Sequence, residues 1–93
     1  MDRAALRLIV RGRVQGVGYR QWACGEARRL GLEGWVRNRL DGTAELMAAG
    51  APDALKQFVQ ACWRGPFAAQ VTAIEQSSEP AGAFDGFRER PTG

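Results

Sequence analysis

Three observations predict an α+β fold for this 93-residue chain. Apolar residues alternate at Leu6, Leu8 and Val10, the period of a strand with one buried face. Leu55, Phe58, Val59 and Cys62 recur at the i, i+3, i+4, i+7 spacing of an amphipathic helix. Asp41-Gly42 lies between two strand-like runs, a strong hairpin signal. Completed by the remaining segments, the order is strand, helix, strand, strand, helix, strand. That is the βαββαβ, ferredoxin-like sandwich, with two helices on one face of a mainly antiparallel sheet of about four or five strands.

Each element follows from its residues. Ala5 to Arg13 is the first strand. Arg20 to Leu30 is the first helix, because Tyr19, Ala23, Ala27 and Leu30 fall at helical spacing and Gly31 supplies a stop. Gly34 to Leu40 and Thr43 to Ala49 are the hairpin strands, with Asn38 near the end of the first. Pro52 and Asp53 open the second helix, and Gly65-Pro66 close it. Ala69 to Gln76 is the next strand, but Val71 and Ile74 sit on opposite parity, which calls for a bulge or a twisted edge. Ser77 to Gly82 reads as a polar loop, and Phe84 to Arg90 as a source of a short edge strand.

The length suits one domain over residues 1–93. With 45% hydrophobic and 25% charged residues the composition is that of a folded globular chain. A net charge of +3 is a mild excess that favours anionic substrates by steering. No apolar run is long enough to span a bilayer, and Arg7 interrupts the short one near the start, so a cytoplasmic location is expected. Cys24 and Cys62 are then expected as reduced thiols, Cys62 in the core.

Between the first strand and the first helix lies Gly12 to Arg20, GRVQGVGYR. Glycines admit positive φ and close approach to the backbone, so successive N–H groups can turn inward on an anion. The helix that follows adds its free first-turn N–H groups. Arg20 can set a planar donor fork against phosphate oxygens. The stretch therefore reads as a phosphate cradle. It is not a Walker loop, which ends in Gly-Lys-Ser or Gly-Lys-Thr where this one ends in Tyr19-Arg20. Nor is it a phosphocysteine loop, since Val14 stands where the thiol would. The absence of histidine removes the usual triads and most catalytic zinc sites.

The same string closely resembles the first motif of the acylphosphatase family, with every specified place filled by Gly12, Val14, Gln15, Gly16, Val17, Tyr19 and Arg20. A second motif of that family is present in order at Gly34, Trp35, Val36, Asn38, Gly42 and Gly50. Ala44 stands where the family usually has valine, a difference in packing and not in phosphate chemistry. The resemblance runs from about Leu6 to about Val71. Beyond it the family usually has an apolar residue two places after the final phenylalanine, whereas here Glu89 follows Phe87.

The resemblance implies the ferredoxin-like fold and hydrolysis of acyl phosphates to a carboxylate and phosphate. The chemistry is consistent with these residues, because a leaving carboxylate has a conjugate acid of pKa about 4 and departs without a proton donor. Phosphate-binding groups would be the amides of Gln15, Gly16, Val17, Gly18, Tyr19 and Arg20 together with the Arg20 guanidinium. Arg20 and Asn38 would be catalytic, Asn38 orienting the attacking water, a role implied by the resemblance alone. Trp22, Trp35, Tyr19 and Trp63 read as core or rim packing, and Arg11, Arg13, Arg37 and Arg39 as a solvated face.

An alternative is a domain of the same shape that grips phosphate or carbamoyl phosphate without turnover. RNA binding is disfavoured, since the aromatic strand motif of RNA-recognition domains is missing. The expected partner is a small acyl phosphate, with no cofactor, metal, nucleic acid or membrane, and the chain is expected to act as a monomer.

Overall fold

A computed structural model describes residues 3–93. The elements run β1 (Ala4–Arg13), α1 (Tyr19–Arg29), β2 (Glu33–Asn38), β3 (Ala44–Gly50), α2 (Pro52–Arg64), β4 (Gln70–Glu79) and β5 (Phe87–Glu89). They form one five-stranded sheet in the order β4-β1-β3-β2-β5. All neighbours are antiparallel except β2 and β5, which run parallel. This is the expected ferredoxin-like α+β sandwich with the fifth, edge strand present.

The alternation in β1 sets the inner face. Leu8 and Val10 are fully buried in the core cluster, and Leu6 packs partly against it. The helices supply the other layer through Tyr19, Ala23, Cys24 and Ala27 of α1 and Leu55, Phe58, Ala61 and Cys62 of α2. Phe58 and Phe87 meet edge to face, with ring centroids 5.8 Å apart. Full burial of a side chain of that size stabilises by about 1.5 to 3 kcal/mol, and here it pins β5 beneath the helices.

Three differences from the sequence reading bear on the architecture. First, α1 begins at Tyr19, not Arg20, so the helix starts directly after Gly18. Second, Ser77 to Glu79 is not loop. It continues β4, pairing Ser77 with Arg7 and Glu79 with Ala5. The polar run misleads because β4 is an outer strand: its backbone ladder to β1 makes it a strand, while its side chains are free to be solvated. Third, the hairpin strands are shorter at their turn ends, β2 stopping at Asn38 and β3 starting at Ala44.

The parity conflict in β4 resolves as a bulge. Arg11 pairs with Ala73 but Gly12 with Val71, which leaves Thr72 as an extra residue. Val71 and Ile74 can therefore both pack against the core. No helix among the described residues is long and apolar enough to cross a membrane.

Candidate active site

β1 ends in the loop 14–18, whose first residue, Val14, is buried and anchors it to the core. Gly16 and Gly18 have φ of 73° and 76°, and a Cβ on either would meet nothing within 4 Å. Their glycines are required by backbone conformation and not by crowding, and the space beside them is open. Val17 between them has no positive φ, so the backbone alternates in sign, the pattern that turns successive N–H groups to one side.

The helix start adds to that arc. The first bond of α1 runs from Trp22 N–H to Gly18 C=O at 3.0 Å. Gly18 gives no side-chain cap, and no acidic residue lies in the first turn. Among the described residues, no protein acceptor takes the N–H groups from Gly16 to Gln21. The free N–H groups of the first turn lie at the helix's positive end, and those of Gly16 and Val17 lie in the loop just before it.

A cavity of about 260 Å³ opens against this arc, lined by Val14, Gly16, Gly18, Tyr19, Arg20, Gln21, Asn38 and Glu89. Arg20 and Asn38, far apart in sequence, are thus brought to one space. Arg20 is one-third exposed, and its Nη1 donates to Arg90 C=O at 3.2 Å. That single bond orients the guanidinium while most of its five donors stay available. Asn38 closes β2 and lines the opposite wall. Its Oδ1 is buried with no hydrogen-bond partner among the described residues. An unpaired buried amide oxygen costs about 1 to 3 kcal/mol, so nothing in the fold satisfies this group.

The hairpin that carries Asn38 is tied to the cradle. Gln15 Nε2 donates to Arg39 C=O at 2.8 Å and to Thr43 C=O at 3.1 Å. Asp41 Oδ1 accepts from Thr43 N–H at 3.0 Å and from Thr43 Oγ1 at 2.6 Å, closing the turn. These bonds hold the Asp41 carboxyl below its usual range.

Of the phosphate-binding residues expected from sequence, Gly16, Gly18, Tyr19 and Arg20 line the cavity. Gln15 and Val17 do not: the Gln15 amide is the hairpin clamp, and Val17 packs partly against the core. The Tyr19 side chain is also turned away. Its hydroxyl donates to Cys62 C=O at 2.8 Å, and burial pushes the phenol far above its ordinary value. Tyr19 thereby bolts the start of α1 to α2, leaving only its backbone for a ligand. Cys62 is likewise pushed up to about 12 by burial, and Cys24 is buried outside the cavity lining.

Sequence reasoning missed Glu89 and the carbonyl of Arg90. The signal for Glu89 was its parity with Phe87. Arg37 is also more than a solvated arginine: it and Arg7 both bond the buried Glu45, at 2.7 and 2.6 Å. Trp35 lies between Arg37 and Arg90, whose guanidinium carbons are 5.4 and 4.7 Å from its ring centre. No cluster of three or more residues suited to a metal ion forms among the described residues.

The acylphosphatase family model matches residues 6–89. An acylphosphatase of Acidiphilium cryptum (strain JF-5) is 51% identical over 89 residues, covering 96% of this chain and 98% of that protein. The crystal structure of acylphosphatase from Bacillus subtilis superposes with a TM-score of 0.91 at 39% identity, covering 94% of this chain and 98% of that one. An acylphosphatase structure from Coxiella burnetii gives a TM-score of 0.93 at 31% identity over 96% of this chain and 94% of that one.

Proposed function

Because the chain belongs to the acylphosphatase family and is a hydrolase of acyl phosphates, we propose that the reaction occurs in the cavity between the Gly16–Arg20 cradle and Asn38. The substrate's phosphoryl oxygens accept from the free N–H groups of the cradle and from the Arg20 guanidinium. These preset donors stabilise the charge that spreads over the equatorial oxygens in the transition state.

Asn38 orients a water for in-line attack. A neutral amide can accept from and donate to that water, and Asn38 lines the cavity in which it would sit. The water oxygen bonds to phosphorus as the bridging P–O bond breaks, and the carboxylate leaves with the electron pair. Its conjugate acid has a pKa of about 4, so it needs no proton. The proton of the attacking water passes to a phosphoryl oxygen, giving a carboxylate and inorganic phosphate.

The observation that carries this reading is that Gly16, Gly18, Tyr19, Arg20 and Gln21, whose N–H groups have no protein acceptor among the described residues, line the same cavity as Asn38. It is tested by phosphate release from acetyl phosphate, with a phosphomonoester as control. Hydrolysis of the first and not the second is expected, since an alkoxide, unlike a carboxylate, needs a proton to leave and the proposed mechanism supplies none. Comparable hydrolysis of both would contradict the mechanism.

A further inference from the structure

Phe87 is buried beneath the helices and Arg88 is exposed, so the period of two returns Glu89 to the helix side of β5. There it is no longer over the core but on the wall of the cavity, beside the first turn of α1. Its Oε1 lies 3.9 Å from Arg20 Nε, and its side chain is 48% exposed. That separation is an ion pair and not a hydrogen bond. The hydrogen bond that orients Arg20 goes to Arg90 C=O instead. Tether and counter-charge are therefore two separate groups, and removing the second leaves the first in place.

A phosphoryl group entering the cavity takes the guanidinium that Glu89 neutralises, and it adds negative charge beside a carboxylate. We propose that Glu89 is a specificity-determining residue of the site: a built-in counter-anion that weakens the grip on anions according to their charge. It keeps product phosphate loosely held and disfavours acyl groups that bear a carboxylate of their own. The proposal rests on Arg20 being the phosphoryl clamp. For charges about 4 Å apart, screened nearly as in bulk water, the effect is a factor of about five to ten in affinity.

The test is steady-state hydrolysis of acetyl phosphate by wild type and by Glu89→Asp, Glu89→Gln and Glu89→Lys, with inorganic phosphate as competitive inhibitor. Glu89→Gln is expected to lower both KM and the phosphate inhibition constant by about five- to tenfold with kcat little changed. Glu89→Lys should lower them further and Glu89→Asp should stay near wild type, so the series follows charge and not shape. The gap between wild type and Glu89→Gln should narrow in about 1 M salt, where screening acts within about 3 Å. The preference for acetyl phosphate over succinyl phosphate, which carries a second carboxylate, should shrink in Glu89→Gln.

An unchanged or raised inhibition constant in Glu89→Gln, or an unchanged acetyl-to-succinyl ratio, overturns the proposal. Arg20→Ala in the same assay separates the two levels. If it loses phosphate while Glu89→Gln binds as wild type, only the role of Glu89 falls. If Arg20→Ala binds phosphate as wild type does, the clamp and the proposal fall together.

Discussion

The two helices begin in opposite ways. α2 starts from Ala51 in an extended conformation, with Pro52 at its first position and Asp53 in its first turn. Proline removes one orphan donor, and the aspartate sets a negative charge against the positive end of the helix dipole. α1 starts from a left-handed Gly18, has no acid in its first turn and places Arg20 there, a cation where the dipole disfavours one. By the rules that stabilise helices, α2 is finished and α1 is left open. The difference supports the proposal that the start of α1 is completed by the substrate's phosphoryl group, which has the right charge and acceptors.

The buried Glu45 offers a filled counterpart on the sheet. There two arginines, Arg7 and Arg37, clasp a carboxylate that the chain supplies itself. At α1 the chain sets only the partly exposed Glu89 carboxylate near Arg20, at 3.9 Å, and leaves the first-turn amides without an acceptor among the described residues, in line with the phosphoryl site proposed above.

The largest way to break this contrast is Arg20→Ala. Removing a charged clamp on a transferring phosphoryl group costs about 3 to 4 kcal/mol, so turnover should fall roughly a hundredfold or more. Arg20→Lys should recover only part, because a point charge lacks the planar fork. Asn38→Ala should also cut turnover steeply, yet change phosphate inhibition only about fewfold, since a neutral amide adds little to the grip on a dianion. Steady-state kinetics on folded variants reads both. If Asn38→Ala lost phosphate as badly as Arg20→Ala while keeping high turnover, Asn38 would be a binding residue.

Next comes the filled site. Burial alone would raise the Glu45 pKa, but hydrogen bonds from Arg37 and Arg7 outweigh it and hold the group below its ordinary 4.5. The folded value being the lower one, its contribution to stability is fully present above pH 4.5 and is lost as the pH falls through the folded value. Glu45→Gln should therefore destabilise by about 2 kcal/mol at neutral pH, the worth of a charged hydrogen-bonded group. It should also flatten the decline in stability from pH 5 downward, as read by urea unfolding. An acid limb unchanged in Glu45→Gln would remove Glu45 as its source.

A smaller pair of changes sharpens the helix comparison. Gln21→Glu places a carboxylate in the first turn of α1, as Asp53 does in α2. It should stabilise the fold by about 0.3 to 1 kcal/mol while weakening phosphate inhibition by about tenfold. Asp53→Asn should lose about 0.3 to 1 kcal/mol and leave turnover alone. Thermal unfolding beside kinetics separates the cases, and a Gln21→Glu protein that was both more stable and equally fast would mean that the α1 start holds no anion.

Much of this was legible in the sequence because its residues report local backbone demands. Alternation in β1, the stripe of α2, Asp41-Gly42 at the turn and the glycines of the cradle each announce their own geometry. The opposite parity of Val71 and Ile74 called for a bulge or a twisted edge, and a bulge at Thr72 is what forms. What was not legible depends on partners distant in the chain. Ser77 to Glu79 is a strand only because β1 lies beside it. The Gln15 side chain shows itself as a hairpin clamp only when its amide is seen to reach Arg39 and Thr43. Glu89 enters the cavity only once β5 is set parallel to β2.

The central claim, that the open start of α1 is an anion cradle closed by Arg20, is tested most directly by thermal unfolding with and without phosphate. At ten times its dissociation constant, a ligand bound only by the folded state adds about 1.4 kcal/mol. Wild type should therefore unfold at a higher temperature in phosphate than in chloride of equal ionic strength, and Arg20→Ala should show no such difference. An equal shift in chloride, or a phosphate shift retained in Arg20→Ala, would contradict the account.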